Sequence, residues 1–157
     1  MERFGTVRDQ WSILYVGITT FEDDLPLTVR PGDDDLTGIV GSRILVHESI
    51  HEEFLEEFKK VVQQIVVGKD PKAFYGSLIS KVQFDKVMEY IEIGKKEAKL
   101  ELGGARHGDK GYFVQPTVFS NVTNQCRIAQ EEIFGPVATI IKFKDEAEAL
   151  KIANDTI

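Results

Sequence analysis

Cysteine is nearly absent: Cys126 stands alone, which excludes a disulfide within the chain and suits a reducing compartment, so the expected location is cytoplasmic. Long apolar runs are missing too. The run from Trp11 to Phe21 is short and broken by Gly17, Thr19 and Thr20, giving neither a signal-peptide core nor a segment able to cross a bilayer. Positive charge is in the minority, with 19 Lys and Arg against 26 Asp and Glu and a net charge of -7. The basic residues lie scattered among acids rather than in a stripe, which argues against a nucleic-acid partner. His47, His51 and His107 share no ligand spacing and no carboxylate cluster completes them, so no metal is expected.

What is present is the material of a folded domain. At 157 residues, 42% of them apolar and 10% aromatic, the chain suits one ordinary domain with a real core. Residues 1 to 37 stand apart from the rest. They hold one apolar run, readable as a strand or a hairpin arm, and then the acidic EDDLPLTVRPGDDDLTG, where Pro31-Gly32 before Asp33, Asp34 and Asp35 reads as an exposed loop.

From Gly38 the pattern becomes regular. Arg43 to Val46 reads as a buried strand, and Ser49 with Glu52 forms a capping box that predicts a helix from Ile50 to about Val66. Its apolar face is Ile50, Phe54, Leu55, Phe58, Val61, Val62 and Ile65, with Gly68 as the stop. Ser80 with Gln83 repeats the device for a helix whose face is Phe84, Val87, Met88 and Ile91, ending near Gly94 or a turn later. KLELGG reads as a short strand closed by a glycine turn, and GYFVQPTVFSNV as extended chain with Pro116 at an edge or bulge. VATIIKFK is the clearest strand, and Asp145 with Glu148 caps a last helix through Ala149, Leu150 and Ala153. The order predicts an α/β fold, with helices packed on a largely parallel sheet.

Three stretches carry a family resemblance. GSRILVHESIHEEFLEEF, ISKVQFDKVMEYIEIGKKEAKLELGG and GYFVQPTVFSNVTNQCRIAQEEIFGPVATIIKF resemble, in order and spacing, the second half of the catalytic domain of NAD(P)-dependent aldehyde dehydrogenases. EEIFGPV preceded by GYFVQPTVF is the most specific part. The resemblance implies a division into residues 1–37, which have no counterpart in the family, and residues 38–157, a catalytic-domain segment truncated at both ends. It implies NAD or NADP as cofactor and a small-molecule aldehyde as the substrate of complete relatives.

It also implies roles for particular residues. In the family the second glutamate of EEIFGPV accepts hydrogen bonds from the nicotinamide ribose hydroxyls, and the phenylalanine packs beside the nicotinamide ring. These roles fall on Glu132 and Phe134. An ionised carboxylate only accepts, which suits the two donors of a diol, and Gly135-Pro136 would hold both side chains on a rigid corner. A glutamine and a lysine near the adenosine ribose correspond to Gln83 and Lys86, whose spacing puts them on one helix face. By composition alone Glu132 reads as a solvated loop acid, Phe134 as a core residue, and Gln83 and Lys86 as a solvated helix face. Glu131 is expected to make a local salt bridge or hydrogen bond.

The family's reaction needs a cysteine thiolate that attacks the aldehyde, passes hydride to the cofactor and leaves a thioester for water to cleave. That cysteine lies just ahead of the Gly-Ser-Arg corresponding to Gly41-Ser42-Arg43, and counting back places Gly38 at its position. Cys126 falls where the family has an ordinary packing residue and is expected to be an inert, partly buried thiol. Ser42 lies close by but has no evident base. No catalytic residue is therefore assigned. The general-base glutamate, the oxyanion-hole asparagine and the sheet that cradles the pyrophosphate come from earlier family sequence, which residues 1–37 do not resemble. The expected function is a segment of an aldehyde dehydrogenase that is catalytically silent alone. The alternative is a non-catalytic binding or assembly module that forms a homo-oligomer or pairs with a full-length relative, because a piece of a larger sheet leaves strand edges and apolar faces to cover.

Overall fold

The computed structural model describes residues 13–16, 43–70 and 73–155. The expectations for the acidic loop after Phe21, for Gly38 and for Ser42 lie outside the described residues. Among the described residues nine elements follow in order: β1 (Ile13–Val16), β2 (Arg43–His47), α1 (His51–Gln63), α2 (Lys81–Glu97), β3 (Lys99–Leu102), β4 (Thr117–Ser120), α3 (Arg127–Gln130), β5 (Val137–Phe143) and α4 (Glu146–Asn154).

The strands form one mixed sheet in the order β1-β2-β5-β4-β3. Its centre is parallel, β5 pairing with β2 and β4, and both outer pairings are antiparallel. Central parallel strands bury both faces, which is why RILV and VATIIKF read as nearly unbroken apolar runs. Side chains alternate across the sheet. Ile44, Val46, Val118 and Ile140 meet Leu55 and Val62 of α1 on one face. Leu45, Phe119, Val137, Ile141 and Phe143 join Val87, Tyr90 and Ile91 of α2, Ile128 of α3 and Ala149 of α4 on the other. The result is a helix–sheet–helix sandwich.

Helix α2 begins as the sequence predicts, with the Ser80 hydroxyl accepting from the Gln83 amide at 3.2 Å. It runs to Glu97, one turn beyond Gly94. That glycine lets the helix approach the sheet closely: a Cβ there would lie 2.7 Å from the Phe119 ring. Helix α4 also starts as expected, Asp145 accepting from the Glu148 amide at 2.9 Å.

Helix α1 corrects the predicted capping box. It starts at His51 with Ile50 as N-cap and no side-chain cap, and it ends at Gln63 rather than near Val66. Ser49 instead bonds the His47 ring, 2.7 Å from hydroxyl to Nδ1, and Glu52 accepts from Lys142 of β5 at 2.8 Å. A neighbouring ring two residues back takes Ser49, and a tertiary partner takes Glu52, so the box does not form. Gly68 is not the helix stop, since Val67 beside it already bridges to Tyr75.

The N-terminal residue of α1 carries a pH signature. His51 is 1% exposed and its Nε2 has no hydrogen-bond partner among the described residues. Burial holds its pKa below the ordinary 6.5, with Lys142 acting in the same direction; the hydrogen bond that its ring donates to Glu52 and the charges of Glu52 and Glu101 oppose it. The unfolded chain therefore binds the proton more readily than the folded one. Stability is complete above about pH 6.5 and falls as the pH drops below that value toward the folded-state pKa. Urea titrations above and below that pH should show the loss in the parent chain, and His51→Leu should flatten that part of the profile. An unchanged slope in His51→Leu would show that other groups set it.

Candidate functional site

The EEIFGPV stretch links α3 to β5. Glu131 is the C-cap of α3 in extended conformation, so successive side chains diverge. The Glu131 carboxylate accepts from the Tyr90 hydroxyl of α2 and from Arg127 Nε at 2.7 Å. The Arg127 guanidinium lies 5.3 Å from the Tyr90 ring centroid, and Lys86 Nζ lies 5.8 Å from the same ring. The Arg127 hydrogen bond, followed by that of Tyr90, holds the Glu131 carboxyl below its usual range, while the same carboxylate pushes the Tyr90 phenol up. The local tie expected for Glu131 is present.

Glu132 is in the opposite situation. It is exposed, and no ion pair or hydrogen bond to its carboxylate occurs among the described residues. One of two adjacent acids is thus spent on anchoring, and the other is left with its acceptors free. Ile133 then turns back into the core at 2% exposure, and Phe134 turns out again at 55%.

The corner itself is held from α2. Phe134 has φ 56°, in the left-handed region that non-glycine residues avoid. That conformation costs about 1–2 kcal/mol. Gln83 Nε2 donates to the Ile133 carbonyl at 3.0 Å and the Phe134 carbonyl at 2.9 Å, and two such bonds contribute about 0.5–1.5 kcal/mol each. The two terms are of similar size. Gly135 sits against Val87, where a Cβ would fall 2.6 Å from a methyl. The Val137 amide donates back to the Gly135 carbonyl at 2.8 Å, closing a tight turn about Pro136, and the Pro136 carbonyl accepts from Thr117 at 2.9 Å to begin the β4–β5 ladder.

The structure therefore brings Gln83, Lys86, Glu131 and Phe134 around the first half of α2, with Glu132 beside them in sequence. Tyr90, Arg127 and Val87 complete the support. Sequence reading missed the roles of Tyr90 and Arg127, although Gln83, Val87 and Tyr90 share helical spacing that marks one stripe of α2. The Ser80–Gln83 capping box is half realised, because the Gln83 side chain reaches the corner instead of turning back to the cap.

Cys126 lies elsewhere. It is 8% exposed, its Sγ is 3.4 Å from Thr123 Oγ1 and 3.7 Å from the Glu97 carbonyl, at the far end of α2. The rise of a helix puts Glu97 about 20 Å from Gln83 along the axis. The thiol is packed away from the corner. Among the described residues no group of His, Cys, Asp and Glu could hold a metal, and no helix is long and apolar enough to cross a membrane.

The described residues thus form a parallel-centred α/β sandwich with an exposed carboxylate, Glu132, and an outward aromatic, Phe134, on a braced corner. The sequence model of the aldehyde dehydrogenase family matches residues 37–157. An aldehyde dehydrogenase of Emericella nidulans is 56% identical over 119 residues, covering 74% of this chain and 24% of that protein. The structure of 1-pyrroline-5-carboxylate dehydrogenase from Thermus with bound NAD superposes with a TM-score of 0.72 at 47% identity, over 74% of this chain and 23% of that one. The NAD+ complex of aldehyde dehydrogenase from Bacillus cereus also gives 0.72, at 40% identity and 74% and 24% coverage. The chain belongs to the aldehyde dehydrogenase family. It spans about a quarter of the length of the curated relatives it matches.

Proposed function

We propose that this chain carries the nicotinamide-side corner of an aldehyde dehydrogenase cofactor site and, with Gly38 where the nucleophile falls, does not itself oxidise aldehydes. The observation that supports this most is the division of labour between two adjacent acids. Glu131 is fully engaged by Tyr90 and Arg127, while Glu132 keeps its acceptors free beside an outward-facing Phe134. NAD(P)+ supplies a hydride acceptor when bound. Glu132 would hold the ribose hydroxyls, Phe134 would flank the nicotinamide ring, and Lys86 and Gln83 would line the approach. Residues 38–157 act in this reading as the catalytic-domain segment and residues 1–37 as a separate stretch, in a cytoplasmic protein.

Calorimetric titration of the purified chain with NAD+ and NADP+ tests the site. The parent chain should bind, and Glu132→Gln should weaken binding about tenfold or more, the effect of losing a charged hydrogen-bond partner worth about 1.5–3 kcal/mol. Equal affinity in the parent chain and Glu132→Gln would remove Glu132 from the site.

A second reading, an assembly module, has its own support. Val61 and Val66 are 46% and 52% exposed, next to a cleft of about 260 Å³ lined by Val62, Ile65, Val67, Leu102 and Pro116. Self-association or pairing with a full-length relative would cover that apolar surface. Light scattering across a concentration series decides it, a concentration-independent monomer being the adverse result.

A further inference from the structure

We infer that Gln83 is a positioning residue whose amide nitrogen clamps the EEIFGPV corner, fixing the left-handed backbone of Phe134 and with it the outward setting of the Phe134 ring next to the free Glu132 carboxylate. The inference deepens the proposed cofactor role and rests on it for its functional meaning. Its structural content stands on its own.

A primary amide has two N–H groups, and Gln83 Nε2 lies 3.0 Å from the Ile133 carbonyl and 2.9 Å from the Phe134 carbonyl. Flipping the amide would set oxygen against both carbonyls, so only this orientation satisfies the site. Both donors are used within the chain, and only the amide oxygen remains to meet a ligand. The bonded carbonyls flank the Phe134 Cα, so they report directly on the backbone angles of the one corner residue at φ 56°. Val87, one turn further along α2, packs against Gly135 and prevents the corner from sliding toward the helix. Tyr90, nearly two turns along, ties Glu131 at the other side of the corner. A helix stripe thus grips the turn at three points, and Gln83 is the grip closest to Phe134.

The test needs no cofactor. In the labelled full chain, the three-bond amide–Hα coupling and Cα shift of Phe134 report its backbone state, and hydrogen exchange of the Val137 amide, which bonds Gly135, reports closure of the turn. Gln83→Ala and Gln83→Glu should both lose the left-handed signature and speed Val137 exchange about tenfold, while Ile140 exchange in the core strand stays as in the parent. The glutamate variant keeps size and acceptors but has no N–H to give. Adding Phe134→Gly to Gln83→Ala should restore slow Val137 exchange, because glycine adopts positive φ without the clamp. Retention of the left-handed signature in both single variants, or parent-like behaviour of Gln83→Glu, would overturn the inference. NAD(P)+ titrations on the same samples separate the two levels: absence of binding by the parent chain counts against the cofactor reading, while the corner measurements still decide the role of Gln83.

Discussion

Phe119→Ala should lower the unfolding free energy of this chain by about 3–5 kcal/mol, the upper range for a buried aromatic truncation. The ring is fully buried on β4 and lies directly beneath Gly94 of α2. Glycine contributes no atoms to fill the hole left behind, so the cavity term stays large. The same geometry predicts coupling between the two positions. Gly94→Ala alone forces a methyl to within 2.7 Å of the ring, which should cost about 1–3 kcal/mol through overpacking. In a Phe119→Leu background that penalty should shrink, and a double-mutant cycle from urea midpoints would register the difference as non-additivity. Additive effects, or a loss below about 1 kcal/mol for Phe119→Ala, would mean that the helix and sheet relax apart more readily than this packing allows.

Arg43→Met should cost about 3 kcal/mol, comparable to breaking a buried, hydrogen-bonded charge arrangement. Arg43 is 1% exposed at the start of β2, and its guanidinium donates to the Ile152 carbonyl at 3.0 Å, the Ala153 carbonyl at 3.2 Å and Asn124 Oδ1 at 3.2 Å. The first two are terminal carbonyls of α4, so a buried cation closes the negative end of that helix. Burial lowers the Arg43 pKa, and the charge of Asp155 partly restores it. Methionine keeps an unbranched apolar stem and loses every donor, so α4 should fray first. Hydrogen exchange across α4 should then accelerate ahead of exchange in β5. Arg43→Lys should recover only part of the loss, because one ammonium cannot reproduce the planar fork. A neutral or stabilising Arg43→Met would show that desolvation of the guanidinium outweighs its bonds.

Much of the framework is legible in the sequence because it depends on local or strongly periodic signals. VATIIKF reads as a central strand since both of its faces are buried, and Ser80 and Asp145 read as helix caps since their partners lie three residues away. The failures have more than one cause. Ser49 and Glu52 have cap chemistry, but the fold offers His47 and Lys142 as better partners. Helix α3 is four residues long, too short for any period to show. At the candidate site, the motif marks Glu132 and Phe134, while the support that sets them lies elsewhere in the chain. Nothing in EEIFGPV says which glutamate is anchored, because Tyr90 arrives from 41 residues upstream. Nor does Phe134 announce a positive φ, since the residue type argues against it. Gln83 was readable as a capping partner or a cofactor contact, but its double bond to the corner emerges only once α2 is laid against the turn.

On the proposed reading the chain retains a cofactor-facing corner without the thiolate that aldehyde oxidation requires. Incubating the purified protein with excess aldehyde and NAD(P)+ while following reduced cofactor tests that claim most directly. The account predicts no accumulation above a protein-free control. Sustained formation of NAD(P)H that disappears in Glu132→Gln would contradict it.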